Sequence, residues 1–169
     1  MRAMWLEGLA DLSVEPQPLR LVACPVPQPG PGEVRIQVVT CGVCHTELDE
    51  IEGRTPPPQL PVIPGHQAVG RIDKVGAGVD DRKAGERVGV AWINSACGQC
   101  VFCRSERENL CPDFRATGRD VDGGYAEYMV APAAFVHPIP DDFTAAEAAP
   151  DAPFPAAVDP AERTLGYSK

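Results

Sequence analysis

Four cysteines stand close together, at positions 97, 100, 103 and 111. Two spacers of two residues and one of seven let a single loop arrange four thiolates around one small cation, the closed tetrahedron of a structural zinc site. Thiolates favour zinc over magnesium or calcium, and iron–sulfur clusters usually show other spacings. Unliganded thiols in a loop are the alternative. We predict one structural zinc ion bound by Cys97, Cys100, Cys103 and Cys111, in a lobe of about residues 92–118.

A second set of metal-binding side chains combines Cys44, in the segment CGVCHTELDEIEG, with His66, in PGHQAVG. Thiolate and imidazole are both zinc ligands, but two ligands alone hold a zinc ion weakly. Two other interpretations stay open: His66 as a structural residue of a Gly/Pro turn, and Cys41 with Cys44 as a C-x-x-C redox pair. The redox pair is typical of a βαβ context, which we do not find in the sequence.

Three further motifs follow these two segments along the chain: GERVGV at 85–90, the four-cysteine lobe, and GGYAEYMV at 123–130. Together, and in this order, they make about residues 1–149 resemble the zinc-dependent alcohol dehydrogenases of the medium-chain dehydrogenase/reductase family. The resemblance implies a mainly β fold, a GroES-like partly open β-barrel with short helices and a zinc-binding lobe. In the family, a nucleotide-binding domain of Rossmann type follows this domain.

The resemblance also implies roles for five residues. Cys44 and His66 match the first two ligands of the family's catalytic zinc, and Thr46 matches the hydroxyl that passes on the alcohol proton. His45 matches a position that reaches the cofactor's phosphates, and Glu47 matches a carboxylate that orients the zinc-binding histidine. The implied cofactors are zinc and NAD(P), and the implied substrate is a small alcohol or aldehyde, whose pKa zinc would lower as a Lewis acid.

Three positions depart from the family pattern. Glu47 stands where the family more often has Asp, so an extra methylene must be accommodated. Gln67 stands where a Glu is common, and an amide keeps the hydrogen bonds but not the charge. Asp49 stands where a His often ends the proton relay, so a carboxylate there would have to act through water.

Short strands must position these residues, because the 169-residue chain contains 16 Gly and 19 Pro, which interrupt long elements. Val34, Ile36 and Val38 alternate with polar residues, which predicts a half-buried strand over 33–40. Similar runs predict further strands at 67–75, 87–93, 125–130 and 134–139.

Residues 44–52 are the one segment for which we predict a helix, with Leu48 and Ile51 directed inward and Glu47, Glu50 and Glu52 facing water. The Pro-rich segments 24–32 and 54–64 are predicted loops. Gly76–Gly78 is predicted to be a turn between strands, because the helix that a dinucleotide-binding loop requires does not follow it.

Composition excludes several classes of partner. The formal net charge is −9 and no Lys/Arg cluster is present, so we expect no nucleic-acid partner. No apolar run approaches the ~18 residues that would indicate a membrane span. The first residues, MRAMWLEGLADLS, lack the features of an export signal, so we expect a cytoplasmic protein in which seven cysteines meet metals rather than form disulfides.

The end of the chain differs from the family pattern. We expect an Ala/Pro-rich tail at 150–169, where neither a third catalytic-zinc ligand nor a Gly-rich Rossmann fold is recognisable. Three hypotheses follow. In the first, the chain is the zinc-binding domain of an NAD(P)-dependent alcohol dehydrogenase, truncated and inactive alone. In the second, it is a stand-alone zinc module that acts through protein partners. In the third, it is one half of an enzyme that a separate nucleotide-binding chain completes. A homo-oligomer is a further expected form.

Overall fold

The computed structural model describes residues 1–144, Ala148 and the backbone of residues 153–155. Most of its regular structure is β, which confirms the predicted fold class at this level. The elements, in chain order, are β1 (Arg2–Leu6), β2 (Leu19–Ala23), β3 (Glu33–Gly42), α1 (His45–Ile51), β4 (Gln67–Val75), β5 (Arg87–Val90), β6 (Ile93–Ser95), β7 (Arg115–Ala116), β8 (Tyr128–Pro132), β9 (Val136–Pro138) and β10 (Pro153–Pro155).

The main sheet is built around β3. It runs in the order β10-β3-β4-β5-β9, and β8 pairs with the first half of β3, on the edge that β10 extends; every one of these pairs is antiparallel. Register shifts between Arg35 and Ile36 and between Val38 and Thr40 interrupt the β3–β4 ladder. Such bulges bend a strand and increase its twist, which curls the sheet into a partly open barrel. Gly42, the last residue of β3, pairs with Gln67, the first residue of β4. The start of α1 and His66 therefore lie next to the same end of the β3–β4 ladder.

The predicted strands agree with the structure to within a few residues. The segment 33–40 extends to Gly42 and 67–75 is β4, whereas 87–93 divides into β5 and β6. The segment 125–130 becomes β8, starting only at Tyr128, and 134–139 contains β9. The hairpin of β1 and β2 was not predicted, because its short strands show no clear period-two alternation.

The core fills the inside of the curled sheet. Val34, Ile36 and Val38 of β3 are all buried, as their alternation predicts, and pack with Ile72 and Met129 from neighbouring strands. A second, smaller cluster joins Leu6, Ile51 and Val62. Because Ile51 is the last residue of α1, this cluster fixes the helix against β1 and the loop that leads to His66.

The prediction that Glu47 and Glu50 face water is wrong, since both side chains are 1% exposed. Glu47, Glu50 and Ile51 lie at i, i+3 and i+4 and therefore share the inward face of α1. The polar residue types concealed this face in the sequence.

The turn predicted at 76–78 is present between β4 and β5, and Gly78 has the positive φ of 77° that such a turn requires. The predicted tail at 150–169 lies outside the described residues except for 153–155, whose backbone pairs with β3. Among the described helices, none has the length and apolar composition needed to cross a membrane.

Candidate metal centres

The sulfur atoms of Cys97, Cys100, Cys103 and Cys111 all lie within 4.8 Å of one another. The Cys97–Cys103 sulfur distance is 3.9 Å and the Cys100–Cys103 distance is 3.5 Å. A Zn–S bond of about 2.3 Å places the sulfurs of a tetrahedral site about 3.8 Å apart. The four thiols therefore fit a closed zinc site, with every coordination position supplied by the protein.

The backbone of the lobe stabilises thiolates. The amides of Cys97, Cys100 and Cys103 donate to the sulfurs of Cys111, Cys97 and Cys100 at 3.4, 3.4 and 3.5 Å. Hydrogen bonds from the amides of Gln99 and Cys100 lower the pKa of the Cys97 thiol to about 7, whereas burial raises the pKa of Cys103 to about 12. Zinc binding must therefore displace protons from the less acidic thiols of the set.

The lobe has little apolar packing of its own. β6 and β7 pair at its base, through Ile93 and Ala116, and two 3-10 turns follow at Cys103–Ser105 and Glu108–Leu110. Two of its aliphatic side chains, Val101 and Leu110, are 69% and 49% exposed. Apart from the β6–β7 pairing and the contact of the Trp92 and Phe114 rings at 4.8 Å, bonds from the four sulfurs to a metal ion would be the main interactions that hold the lobe together.

Cys44 and His66 meet at a second site. The Cys44 sulfur lies 3.3 Å from Nε2 of His66, although 22 positions separate them in the chain. Zn–S of about 2.3 Å and Zn–N of about 2.0 Å give a separation of about 3.5 Å around a tetrahedral ion, so this donor pair also fits zinc. His66 is buried, with 5% exposed, and Cys44 is partly buried.

Glu47 fixes both donors. Its Oε2 accepts a hydrogen bond of 2.8 Å from the Cys44 amide, and its Oε1 lies 2.8 Å from Nδ1 of His66. Burial alone would raise the pKa of Glu47, but His66 and the Cys44 amide outweigh it, so the pKa is lowered and the carboxylate is ionised. The Nδ1 edge of the imidazole therefore faces the carboxylate at ion-pair distance, without hydrogen-bond geometry, and its Nε2 edge faces the Cys44 sulfur.

Cys44 is the N-cap of α1, a position that usually takes Ser, Thr, Asp or Asn. Its sulfur accepts a hydrogen bond of 3.3 Å from the Thr46 amide, and the reciprocal bond to Glu47 completes a capping box. Burial raises the pKa of the Cys44 thiol, so a metal ion must displace its proton. The cap therefore sets the sulfur position before any metal binds.

Glycines hold the loop that carries His66. Gly65 has φ of 96°, and a Cβ there would lie 2.5 Å from the ring of Tyr125. A Cβ on Gly123 would lie 2.1 Å from the carbonyl oxygen of Gly65. The Gly123 amide also donates to the Ile63 carbonyl at 2.6 Å. The glycines of the GGYAEYMV segment thus allow backbone contact with the turn before His66, a role we did not assign from the sequence.

The remaining predicted site residues lie around the first turn of α1. Thr46 is partly buried and His45 is exposed, with its Nε2 3.6 Å from Oδ1 of Asp49. The same oxygen of Asp49 accepts a hydrogen bond from Arg54. Asp49 is therefore neutralised by a guanidinium. Gln67 follows His66 directly, and its buried side-chain oxygen has no hydrogen-bond partner.

One acidic residue of this region was missed as a site residue. Glu50 is buried beside the site, and neither of its carboxyl oxygens has a hydrogen-bond partner. Burial, followed by the neighbouring charge of Glu47, raises its pKa to about 7. The spacing of Glu47, Glu50 and Ile51 was the available signal, since it repeats at one helix face.

Comparison with known proteins identifies relatives of the chain. The family model described as "Alcohol dehydrogenase GroES-like domain" matches residues 30–141. A probable alcohol dehydrogenase, AdhA, of Mycobacterium tuberculosis is 46% identical over 138 residues, covering 79% of this chain and 40% of the relative. An alcohol dehydrogenase of Geobacillus stearothermophilus is 47% identical over 135 residues, with the same shares covered. This chain therefore spans about 40% of the length of these relatives.

Solved structures give the same result for the fold. The crystal structure of an NAD-dependent alcohol dehydrogenase matches with a TM-score of 0.79 and 34% identity, over 88% of this chain and 42% of that one. A cobalt- and zinc-bound thermostable alcohol dehydrogenase from Pyrobaculum aerophilum matches with a TM-score of 0.79 and 31% identity, over 88% of this chain and 44% of that one.

Proposed function

The chain belongs to the alcohol dehydrogenase family with a GroES-like domain, and on that premise we propose that residues 1–149 are the zinc-binding catalytic domain of an NAD(P)-dependent alcohol dehydrogenase. The observation that carries the proposal is the contact of Cys44 with His66, with Glu47 hydrogen-bonded to the Cys44 amide and 2.8 Å from Nδ1 of His66. A core carboxylate that orients a histidine toward a thiol is the arrangement expected of a metal centre. A small alcohol or aldehyde is the substrate class.

In this proposal Cys44 and His66 hold a zinc ion, which when bound lowers the pKa of an alcohol as a Lewis acid. Glu47 keeps His66 in the tautomer that leaves Nε2 free for the metal. Thr46 follows Cys44 directly, so its hydroxyl is the candidate group to receive the alcohol proton. His45, exposed at the helix start, is the candidate for the phosphates of NAD(P).

We assign Asp49 a positioning role rather than that of a proton acceptor. Its Oδ1 accepts from Arg54 and lies 3.6 Å from Nε2 of His45, so a guanidinium and an imidazole already contact it. Arg54 also pairs with Glu52 at 2.5 Å, which ties the end of α1 to the following loop. In this reading Asp49 orients His45, and the proton of Thr46 passes to solvent along this exposed side of the helix.

We propose that the four-cysteine site is structural. Its donor set is complete, so a bound metal would have no open position for a substrate. None of the seven cysteines, all within the described residues, forms a disulfide. This pattern supports a reducing compartment, and we propose the cytoplasm as the location.

We further propose that the polypeptide of 169 residues does not oxidise alcohols by itself. The described residues contain no Gly-rich nucleotide-binding loop, since 76–78 is a turn between β4 and β5. Holding a nicotinamide and an alcohol in reactive geometry supplies roughly 7–11 kcal/mol of barrier reduction, and this needs a second wall. A Rossmann domain, in a longer protein or a separate chain, is the expected source.

Metal stoichiometry tests the proposed function. We expect the chain to bind two Co²⁺ ions, one tightly at the four-cysteine site and one weakly with a Cys44 thiolate charge-transfer band. Cys44→Ala should remove the second ion alone, whereas Cys24→Ala, the matched control, should retain both. A single ion in the unmodified chain would refute the catalytic-domain proposal and favour a stand-alone zinc module. NADH formation by the chain alone, abolished in Cys44→Ala, would refute the proposed inactivity.

A further inference from the structure

Glu50 is a buried acid that the proposed chemistry does not use. It lies one turn after Glu47 on the inward face of α1, 1% exposed, and neither carboxyl oxygen has a hydrogen-bond partner. Burying a carboxyl group without hydrogen bonds is unfavourable, and more so when it is ionised. A residue of this kind requires a compensating interaction that the apolar core does not provide.

Four charged or titratable groups influence Glu50: Glu47, His66, Arg119 and Asp120. Glu47 and Asp120 are acids and disfavour its ionised form. Arg119 is already engaged, since its Nη2 lies 2.8 Å from Asp120 and its guanidinium lies over the ring of Trp92 at 6.0 Å. His66 and Arg119 favour the ionised form of Glu50, but each already faces another carboxylate, Glu47 and Asp120 respectively. A metal ion held by His66 would add a positive charge on this side of Glu50.

Gln67 provides the second observation. It directly follows His66, its side-chain oxygen is buried without a partner, and an amide carries no charge where related enzymes commonly have Glu. On the β4 side of the site an acidic charge is therefore absent. On the α1 side a buried acid, Glu50, is present.

We propose that Glu50 supplies buried negative charge that favours a divalent metal ion at Cys44 and His66, in place of the charge that Gln67 lacks. Glu50 acts through the electric field rather than as a ligand, because the grouped side chains that could offer donor atoms are Cys44, Glu47 and His66, and Glu50 is not among them. In a buried setting, with a low effective dielectric, a carboxylate influences an ion beyond hydrogen-bond distance. The inference rests on the proposed function of this site.

The experiment measures Co²⁺ affinity at the second site in the zinc-loaded full chain, at about pH 8, from the thiolate–Co²⁺ absorption. We expect Glu50→Gln to weaken binding about tenfold, the effect typical of groups just outside a metal's ligands. Glu52→Gln is the matched control on the same helix end, where Glu52 is paired with Arg54, and should change affinity less than about twofold. Gln67→Glu added to Glu50→Gln should restore most of the loss.

The outcomes separate the two hypotheses. Equal Co²⁺ affinity in Glu50→Gln and the unmodified chain would overturn the role of Glu50 and leave the proposed function intact. Weakened affinity that Gln67→Glu does not restore would also overturn it. A charge at position 67 can replace the charge lost at Glu50, but it cannot repair a packing defect in α1. Failure of the unmodified chain to bind a second Co²⁺ would overturn the proposed function and this inference together. A cooperative urea transition, followed by the fluorescence of Trp5, shows that each variant is folded.

Discussion

Replacing Glu50 by Gln should change how the stability of the fold depends on pH. The pKa of Glu50 is raised from its ordinary value of 4.5 to about 7, mainly by burial. Below about pH 4.5 the carboxyl is protonated in both folded and unfolded chains and has no effect. As the pH rises toward 7 the unfolded chain releases the proton first, so the folded state loses stability, and above about pH 7 the loss is complete.

The magnitude follows from about 1.4 kcal/mol per pKa unit, which gives a total loss of about 3 kcal/mol for Glu50. Of this, about 2 kcal/mol develops between about pH 5.5 and pH 8. Gln has nearly the same shape and no charge, so Glu50→Gln should abolish this part of the pH dependence. The buried amide adds a cost of its own, of about 1–3 kcal/mol, but that cost is the same at every pH.

Urea denaturation, followed by the fluorescence of Trp5 and Trp92, measures the effect at several pH values with the second metal site empty. The unfolding free energy of Glu50→Gln, relative to the unmodified chain, should rise by about 2 kcal/mol from about pH 5.5 to pH 8. Glu52→Gln, the control, should show no comparable rise, because Glu52 is not fully buried. Parallel pH profiles for Glu50→Gln and the unmodified chain would refute the assignment of a raised pKa to Glu50.

Three further predictions concern the metal centres. Cys103→Ser should lower both bound zinc and the melting temperature, because a lobe with little apolar packing loses a ligand; unchanged zinc content by elemental analysis would contradict the structural site. A mild chelator should remove metal from Cys44 and His66 before the four-cysteine site, and equal resistance would reveal an additional ligand. Gly123→Ala should destabilise the fold by about 1–3 kcal/mol and weaken the second site, since its Cβ would meet Gly65 at 2.1 Å, whereas Gly8→Ala, with nothing within 4 Å, should have little effect in the same melting assay.

The strands of the barrel and the four-cysteine cluster could be predicted from the sequence for the same reason. Each depends on the spacing of residues that lie close together in the chain. The alternation over Val34, Ile36 and Val38 places one side chain in two on the core face, whatever the partner strand is. The four cysteines lie within 15 residues, so a single loop brings them together without help from distant segments. The contact of Cys44 with His66 was accessible only through the family resemblance, because nothing in the 21 intervening residues sets their distance.

Tertiary structure alone decided the environment of the acids on α1. A helix pattern shows that Glu47, Glu50 and Ile51 share a face, but not which neighbours cover that face or which hydrogen bonds they offer. Glu47 is ionised because His66 and the Cys44 amide reach it, whereas Glu50, one turn later, has no such partner and is disfavoured as an anion. The residue type is identical, and the difference in pKa comes from burial and hydrogen bonding, which depend on segments distant in the chain.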